Sequence, residues 1–198
     1  MIVLALHGFT RAPHHLDALA IACAEQGWSC LRPELAPRWA PIMMNSTLHL
    51  NAISRRIAPR LQDEPVTIVG HSAGAAAGAW LATQLIQQQV NINGIVMVDG
   101  NDSPNHLIEK AWPLLQDTTI RAVLAPPSPC NRQGMLQKFL DENRPGITTV
   151  IPGSGHGDIE VLPSQMYRRI CGDTSTSETK QQVLNAVLSA IEDIQEIS

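Results

Sequence analysis

Six short apolar runs, each ended by glycine, proline or another turn-forming residue, alternate along the chain with segments of helical periodicity. Each run is too short for a buried helix and lacks the polar alternation of a half-exposed strand, which is typical of strands buried on both faces. Strands that alternate with helices form βαβ units, so the sequence predicts an α/β fold with a mainly parallel sheet between two layers of helices. The predicted strands are 2–6, 28–32, 66–69, 95–98, 120–124 and 147–151.

The segments between these runs indicate how the sheet is covered. Their apolar residues recur three and four positions apart and therefore share one helical face, as Val187, Ile191 and Ile194 do near the end of the chain. No change in composition marks a linker, so we expect one domain that spans 1–198. The predicted helices are 13–26, 45–61, 75–89, 107–115, 135–142 and 180–197.

Composition and charge narrow the classes of partner. With 44% hydrophobic and 16% charged residues, the chain is too apolar for a disordered protein. Its formal net charge of -4 provides no electrostatic footprint for nucleic acid and no basic segment for an anionic membrane. No glycine-rich phosphate loop follows a strand, so we expect no nucleotide cofactor, and the adjacent His14 and His15 point to different helix faces, so we expect no metal. The predicted partner is a small molecule, and the sequence leaves the oligomeric state open.

Cysteine usage and hydropathy bear on the compartment. The four cysteines form no C-x-x-C pair, and a chain of this length needs no disulfide to fold, so we expect reduced thiols. The opening residues lack the basic region of a secretory signal, and no apolar run approaches the length of about 18 residues that spans a bilayer. The sequence therefore predicts a cytoplasmic protein without a membrane span.

The run G-H-S-A-G at 70–74 is the motif that carries chemistry. It matches G-x-S-x-G and lies between a predicted strand and a predicted helix, which is the context of a nucleophile elbow. Such a turn has to be sharp enough to expose the hydroxyl of Ser72 above the sheet, and the flanking glycines remove Cβ clashes from it. The helix that follows directs free N–H groups at the same point, where an oxyanion would form.

A histidine suited to activate this serine follows the last predicted strand. His156 stands on a glycine-rich loop at the same edge of the sheet as Ser72, because the carboxyl ends of parallel strands share one edge. Among the other histidines, His7 and His71 belong to motif turns and are expected to be structural or to line the pocket.

With these features the chain resembles the α/β-hydrolase family, from its first strand to its last helix. The resemblance implies that Ser72 is the nucleophile and His156 the general base. It also implies an oxyanion hole formed by the backbone N–H groups of Phe9 and Ala73. Three motifs carry the resemblance, namely L-H-G-F at 6–9, G-H-S-A-G at 70–74 and G-S-G-H-G at 153–157.

The acid that would complete a Ser–His–acid set has more than one candidate. In most of the family it follows the strand that corresponds to 120–124, where this chain reads A-P-P-S-P-C-N-R without a carboxylate. A minority of the family, including thioesterases of peptide and polyketide synthesis, has the acid one strand earlier, where Asp99 stands. Asp99 is the preferred candidate. Asp102 and Asn131 remain alternatives, Asn131 as a neutral group that would orient His156.

The resemblance implies a serine hydrolase that cleaves a carboxylic ester or a thioester through an acyl-enzyme. The short stretch after Asp99 leaves room for one helix, so we expect a minimal cap or none. Trp39, Met43 and His71 are expected to line the site, with core packing as the alternative for the apolar two. Acyl groups carried on CoA or a carrier protein would also fit. A carbon–carbon bond hydrolase or lyase, or a non-catalytic binding protein, are the alternative functions.

Overall fold

The structure is a computed structural model that describes residues 1–37, 39–62, 64–161, 169–172 and 176–197. Its six strands form one sheet in the order β2-β1-β3-β4-β5-β6, and every neighbouring pair is parallel. The predicted α/β fold with a parallel sheet is therefore confirmed. Numbered in chain order, the strands are Ile2–Leu6, Ser29–Leu31, Val66–His71, Ile92–Val98, Thr119–Leu124 and Thr148–Val150.

Helices connect successive strands and cover both faces of the sheet. Short 3-10 turns precede or extend several of them, often where a proline supplies the first residue, as Pro13 and Pro41 do. In chain order the α-helices of the described residues are α1 (Asp17–Glu25), α2 (Thr47–Ile57), α3 (Ala73–Gln87), α4 (Leu107–Ala111), α5 (Met135–Asn143) and α6 (Ser177–Ile197).

The core lies in two layers, one on each face of the sheet. Alternate residues of a strand point to opposite faces, so Leu4 packs in one layer with α2, α3, α4 and α5, while Val3 packs in the other with α1 and α6. Burial of each large aliphatic side chain contributes about 1.5–3 kcal/mol to folding. The sheet is the middle of three layers.

The predicted elements differ from the observed ones mainly at their ends. The strand predicted at 66–69 continues through His71, so the first two residues of the G-H-S-A-G run belong to β3. The strand predicted at 95–98 begins three residues earlier, at Ile92, and so includes Gly94. The helix predicted at 13–26 opens as a 3-10 turn over Pro13–Leu16.

The connection between β4 and β5, at the carboxyl edge of the sheet, is short. Between Val98 and Thr119 the chain forms only α4 and a 3-10 turn over Trp112–Leu114, so no cap domain is inserted at that point. The loops that follow the strands meet at this edge, where ligands of parallel α/β sheets bind. No described helix combines the length and apolarity needed to cross a bilayer.

Candidate active site

The turn between β3 and α3 holds Ser72 in a strained conformation. Ser72 has φ +55° and ψ -123°, outside the regions that L-residues favour. Its N–H donates to the carbonyl of Val98 at 3.0 Å, and its own carbonyl accepts from Ala75 at 3.0 Å and from Asn101 at 3.2 Å. These bonds attach the turn to β4, to α3 and to the loop after β4, so the surrounding structure maintains the strain.

Two glycines permit this turn because other backbone segments lie against them. A Cβ on Gly70 would lie 2.7 Å from the Cα of Ala75, and a Cβ on Gly74 would lie 2.7 Å from the carbonyl oxygen of His7. Both separations are below any that real Cβ atoms show. The first turn of α3 can therefore pack on the ends of β1 and β3 only where the motif has glycine.

His156 reaches Ser72 from a compact loop after β6. The Oγ of Ser72 lies 2.9 Å from Nε2 of His156. The loop is held by local bonds, in which Ser154 binds the carbonyl of Ile151 and the N–H of Gly155 donates to a carboxylate oxygen of Asp158 at 3.0 Å. The imidazole is thus presented by a turn with its own internal bonds.

Asp99 occupies the other side of the imidazole. Its Oδ2 contacts Nδ1 of His156, and because a carboxylate only accepts, Nδ1 carries the proton and Nε2 is free to accept from the hydroxyl of Ser72. The second oxygen of Asp99 accepts from the N–H of Ala125 and from the side-chain amide of Asn131, both at 3.0 Å. Ser72, His156 and Asp99 form a buried hydrogen-bonded chain.

The two alternative candidates for the acid have other contacts. Asp102 caps the start of α4, where its oxygens accept from the N–H groups of Ser103 and Ile108 at 2.7 and 2.9 Å. Asp102, His106 and Glu109 form the one potential metal-binding group in the described part of the chain, with their ligand atoms within 4.8 Å of one another. The carboxylate of Asp102, however, already accepts the capping hydrogen bonds. Asn131 contacts Asp99 rather than His156.

The groups predicted to form the oxyanion hole flank Ser72. A Cβ on Gly8 would lie 3.1 Å from Cβ of Ser72, so the turn that contains Phe9 passes directly beside the serine. Ala73 is the first residue of α3, where N–H groups have no intrahelical acceptor. Within the described residues, neither Phe9 nor Ala73 donates its backbone N–H to a protein acceptor.

A second buried histidine–carboxylate pair lies against this chain. His71 directs Nε2 at the backbone carbonyl of His156, at 2.7 Å, and Nδ1 at a carboxylate oxygen of Glu160, at 3.3 Å. The other carboxylate oxygen of Glu160 lies 2.9 Å from the guanidinium of Arg11, as an ion pair rather than an aligned hydrogen bond. We call Arg11, His71 and Glu160 the ionic cluster. Sequence reasoning missed Arg11 and Glu160, whose only signal was their position just beyond two of the motifs.

The charged groups of the ionic cluster stabilise one another's charge. Burial is the largest influence and opposes ionisation, but Glu160 and the carbonyl of His156 raise the pKa of His71 above its ordinary value of 6.5. Burial likewise opposes ionisation of Glu160, yet His71 and Arg11 lower the pKa of that carboxyl below its ordinary 4.5. His71 is therefore the histidine of this edge that favours the imidazolium form.

His7 shows the opposite behaviour. Its Nδ1 donates to the carbonyl of Gly8 at 2.9 Å, and its Nε2 accepts from the N–H of Leu35 at 3.1 Å. Burial is the main cause that lowers the pKa of His7, so the ring stays neutral. It fastens the loop after β2 to the end of β1, a structural role.

The residues expected to line the site are divided between surface and interior. Trp39 is 85% exposed, whereas Met43 packs against the core. His71 is 1% exposed with both ring nitrogens directed at protein groups, which favours the structural alternative over contact with substrate. A groove of about 590 Å³ opens beside His156, lined mainly by 125–129 and 153–156.

The cysteines differ from expectation. Cys130 and Cys171 form a disulfide across 41 residues of sequence, while Cys23 and Cys30 are free thiols. The prediction of reduced thiols is therefore wrong for one pair. Its premise, that the chain needs no disulfide to fold, does not prevent one from forming where the loop after β5 meets the segment around Cys171.

Comparisons with known proteins identify the fold. No family model and no curated protein matches the sequence. A Xanthomonas campestris protein of the α/β-hydrolase superfamily matches in structure with 14% identity and TM-score 0.56, over 95% of this chain and 98% of its own. Tomato methylketone synthase I matches with 12% identity and TM-score 0.64, over 98% of each chain. The thioesterase domain from the curacin biosynthetic pathway matches with 13% identity and TM-score 0.59, over 94% of this chain and 90% of its own. The chain has the α/β-hydrolase fold, as its motifs predicted.

Proposed function

We propose that the chain is a serine hydrolase that cleaves small carboxylic esters or thioesters through an acyl-enzyme. The observation that carries the proposal is the hydrogen-bonded chain from Ser72 through His156 to Asp99, with the serine on a strained elbow. A fold alone does not define a reaction, and the structural relatives themselves have different names. The constellation of three side chains is what favours acyl transfer.

The proposed reaction begins with attack of Ser72 on the carbonyl carbon of the substrate. His156 accepts the hydroxyl proton at Nε2, which faces the serine at 2.9 Å, and then donates it to the leaving alkoxide or thiolate. Water, deprotonated by the same nitrogen, releases the acyl group. Asp99 keeps Nδ1 protonated throughout and stabilises the imidazolium that forms at each step.

Negative charge on the carbonyl oxygen would be stabilised by the N–H groups of Phe9 and Ala73. One is on the turn beside the serine and the other begins α3, whose N-terminal end carries a partial positive charge. Loss of one such donor costs about 3–4 kcal/mol of transition-state stabilisation. Both donors are backbone groups, so no side-chain substitution deletes them directly.

The short connection between β4 and β5, which holds no cap domain, favours small acyl substrates. The groove beside His156 is lined largely by proline, glycine and small residues, which favours an uncharged group there. The match to a thioesterase domain makes acyl groups on CoA or on a carrier protein reasonable to test beside simple esters.

The cytoplasmic location expected from the sequence stays a prediction. Disulfides are rare in cytosolic proteins, so the Cys130–Cys171 bridge favours an oxidising compartment instead.

Fluorophosphonate labelling combined with an ester and acyl-CoA screen of graded chain length tests the proposed function. The wild-type chain should be labelled and should hydrolyse at least one p-nitrophenyl ester or acyl-CoA. Ser72→Ala should abolish labelling and lower kcat about a millionfold. Ser54→Ala is the matched control, because Ser54 is a buried serine that bonds only to structural groups, and it should be labelled like the wild type. A folded wild-type chain that is neither labelled nor active would refute the proposal.

A further inference from the structure

We propose that His71 is a positioning residue for His156 and that Arg11 and Glu160 hold it in place. This inference rests on the proposed function, since it assigns a role in presenting the general base to the nucleophile. Its starting observation is the 2.7 Å contact from Nε2 of His71 to the backbone carbonyl of His156, in a fully buried position.

The contact closes a ring that includes the reacting atoms. His71 and Ser72 are consecutive residues, and they contact the two ends of the same histidine. His71 binds the backbone of His156, and Ser72 contacts its imidazole at 2.9 Å. The ring runs from the side chain of His71 to the backbone and then the imidazole of His156, and returns through Ser72 to His71. This ring therefore sets the separation between the Oγ of Ser72 and Nε2 of His156.

The ionic cluster also joins the three motif loops to one another. The N–H of Arg11 donates to the carbonyl of Gly8 at 3.2 Å, so Arg11 belongs to the turn that contains Phe9. Glu160 closes the turn that follows His156, through its N–H bond to Gly157 at 2.9 Å. The Arg11–Glu160 ion pair thus links the loop that contains Phe9 to the loop that contains His156, and His71 links both to the nucleophile elbow.

Only the charged form of His71 satisfies both of its neighbours. A neutral imidazole has one N–H, whereas here the two nitrogens face a carbonyl and a carboxylate, which can only accept. The imidazolium donates to the carbonyl of His156 and forms an ion pair with Glu160, which Nδ1 faces at 3.3 Å without an aligned hydrogen bond. Its ring centroid lies 5.0 Å from that of His156. The titratable or charged groups around His71 are Glu160, His156 and Asp99, with Arg11 and His15 acting on it through Glu160.

A pair of substitutions at this position separates positioning from packing. His71→Gln keeps an N–H donor where Nε2 stands but removes the charge, whereas His71→Leu removes both. We expect kcat to fall at least tenfold in His71→Leu with KM within twofold, and we expect His71→Gln to restore kcat to within threefold of wild type.

His49→Leu is the matched control for loss of a histidine–carbonyl bond. His49 also donates to a backbone carbonyl, that of Leu35 at 2.7 Å, but it has no contact with the triad side chains, so its kcat should equal that of wild type. Thermal unfolding and fluorophosphonate titration report the folded, competent fraction of each variant.

Two results would overturn the inference in an active wild type, namely an unchanged kcat in folded His71→Leu or an equal loss in both variants. If His71→Leu does not fold, His71→Met replaces it as the variant without a donor, and the same two results decide. An inactive, unlabelled wild type would instead refute the proposed function, so the two failures are distinguishable.

Discussion

Two buried histidine–carboxylate pairs lie side by side in this molecule, and they differ in their third partner. His156 and Asp99 are joined to a serine hydroxyl, whereas His71 and Glu160 are joined to a backbone carbonyl and to Arg11. Both pairs lie at the carboxyl edge of the sheet, and both are almost inaccessible to solvent. A buried histidine–carboxylate pair is therefore not by itself evidence of a reaction.

The third partner determines what each pair can do. A hydroxyl can lose its proton to the imidazole and become a nucleophile, and for that the imidazole must present an unprotonated nitrogen. A carbonyl can only accept, so the imidazole beside it must present N–H, and the neighbouring carboxylate favours the doubly protonated ring. The first pair is arranged to move a proton, and the second is arranged to retain one.

The largest expected effect distinguishes the two carboxylates by activity. Asp99→Asn should lower kcat about 10⁴-fold, because an asparagine amide facing Nδ1 favours the wrong tautomer of His156. Glu160→Gln should lower kcat far less, because Glu160 contacts neither the reacting atoms nor His156 directly. Initial rates on the best ester from the screen measure both variants, with circular dichroism as the check on folding.

If Glu160→Gln lowered kcat as much as Asp99→Asn in a folded protein, the division of roles between the two pairs would be wrong. If Asp99→Asn kept wild-type turnover, the acid would have to be sought elsewhere.

The next effect concerns stability and its dependence on pH. Removal of one partner of a buried ion pair costs about 3–5 kcal/mol, so Glu160→Gln should lower the free energy of unfolding by that order. The raised pKa of His71 contributes stability that is complete below pH 6.5 and is lost as pH rises through the raised value. The lowered pKa of Glu160 contributes stability that is complete above pH 4.5 and is lost as pH falls through the lowered value.

The difference in free energy of unfolding between wild type and Glu160→Gln should therefore be largest between pH 4.5 and pH 6.5. It should become smaller at lower and at higher pH. Urea unfolding at a series of pH values measures it. The lowered pKa of His7 gives its contribution to stability the opposite pH dependence from that of His71. Because His7 is present in both proteins, this contribution cancels when their free energies of unfolding are subtracted. A difference that does not vary with pH would mean that the ionic cluster is not charged as described.

The smallest effect tests the support of Asp99. Asn131→Ala removes one donor to Oδ1 of Asp99 and leaves the donor from Ala125, so kcat should fall about tenfold, the equivalent of 1.4 kcal/mol. Asn143→Ala is the control, since the side chain of Asn143 is exposed and donates to the backbone carbonyl of Phe139, within α5. A loss of several orders of magnitude in Asn131→Ala would indicate that Asn131 acts on His156 itself.

The sequence predicted the fold well because burial on both faces leaves a clear pattern. The central strands are mainly apolar, and the parallel order agrees with their alternation with helices. The nucleophile elbow could be predicted equally well, since G-x-S-x-G between a strand and a helix is a local signal in the sequence. Ser72 and His156 were named from local context and Asp99 from the resemblance to the family, and the structure brings the three side chains together.

The features that sequence reasoning left open or missed depend on distant contacts. Which of Asp99, Asp102 and Asn131 faces the imidazole is decided by loop geometry, which residue spacing does not encode. Glu160 reaches His71 across 89 positions of sequence, and neither belongs to a motif that implies the other. The Cys130–Cys171 bridge was missed for the same reason.

The two glycines of the elbow have a consequence for how the motif is interpreted in other chains. Gly70 and Gly74 are required because backbone segments touch them, whereas the hydroxyl of Ser72 would be required by the proposed reaction. A chain that kept this turn without the proposed activity would still need both glycines. The spacing of the glycines is thus a marker of architecture, and among the three residues between them only the central one bears on whether such a chain can be a serine hydrolase.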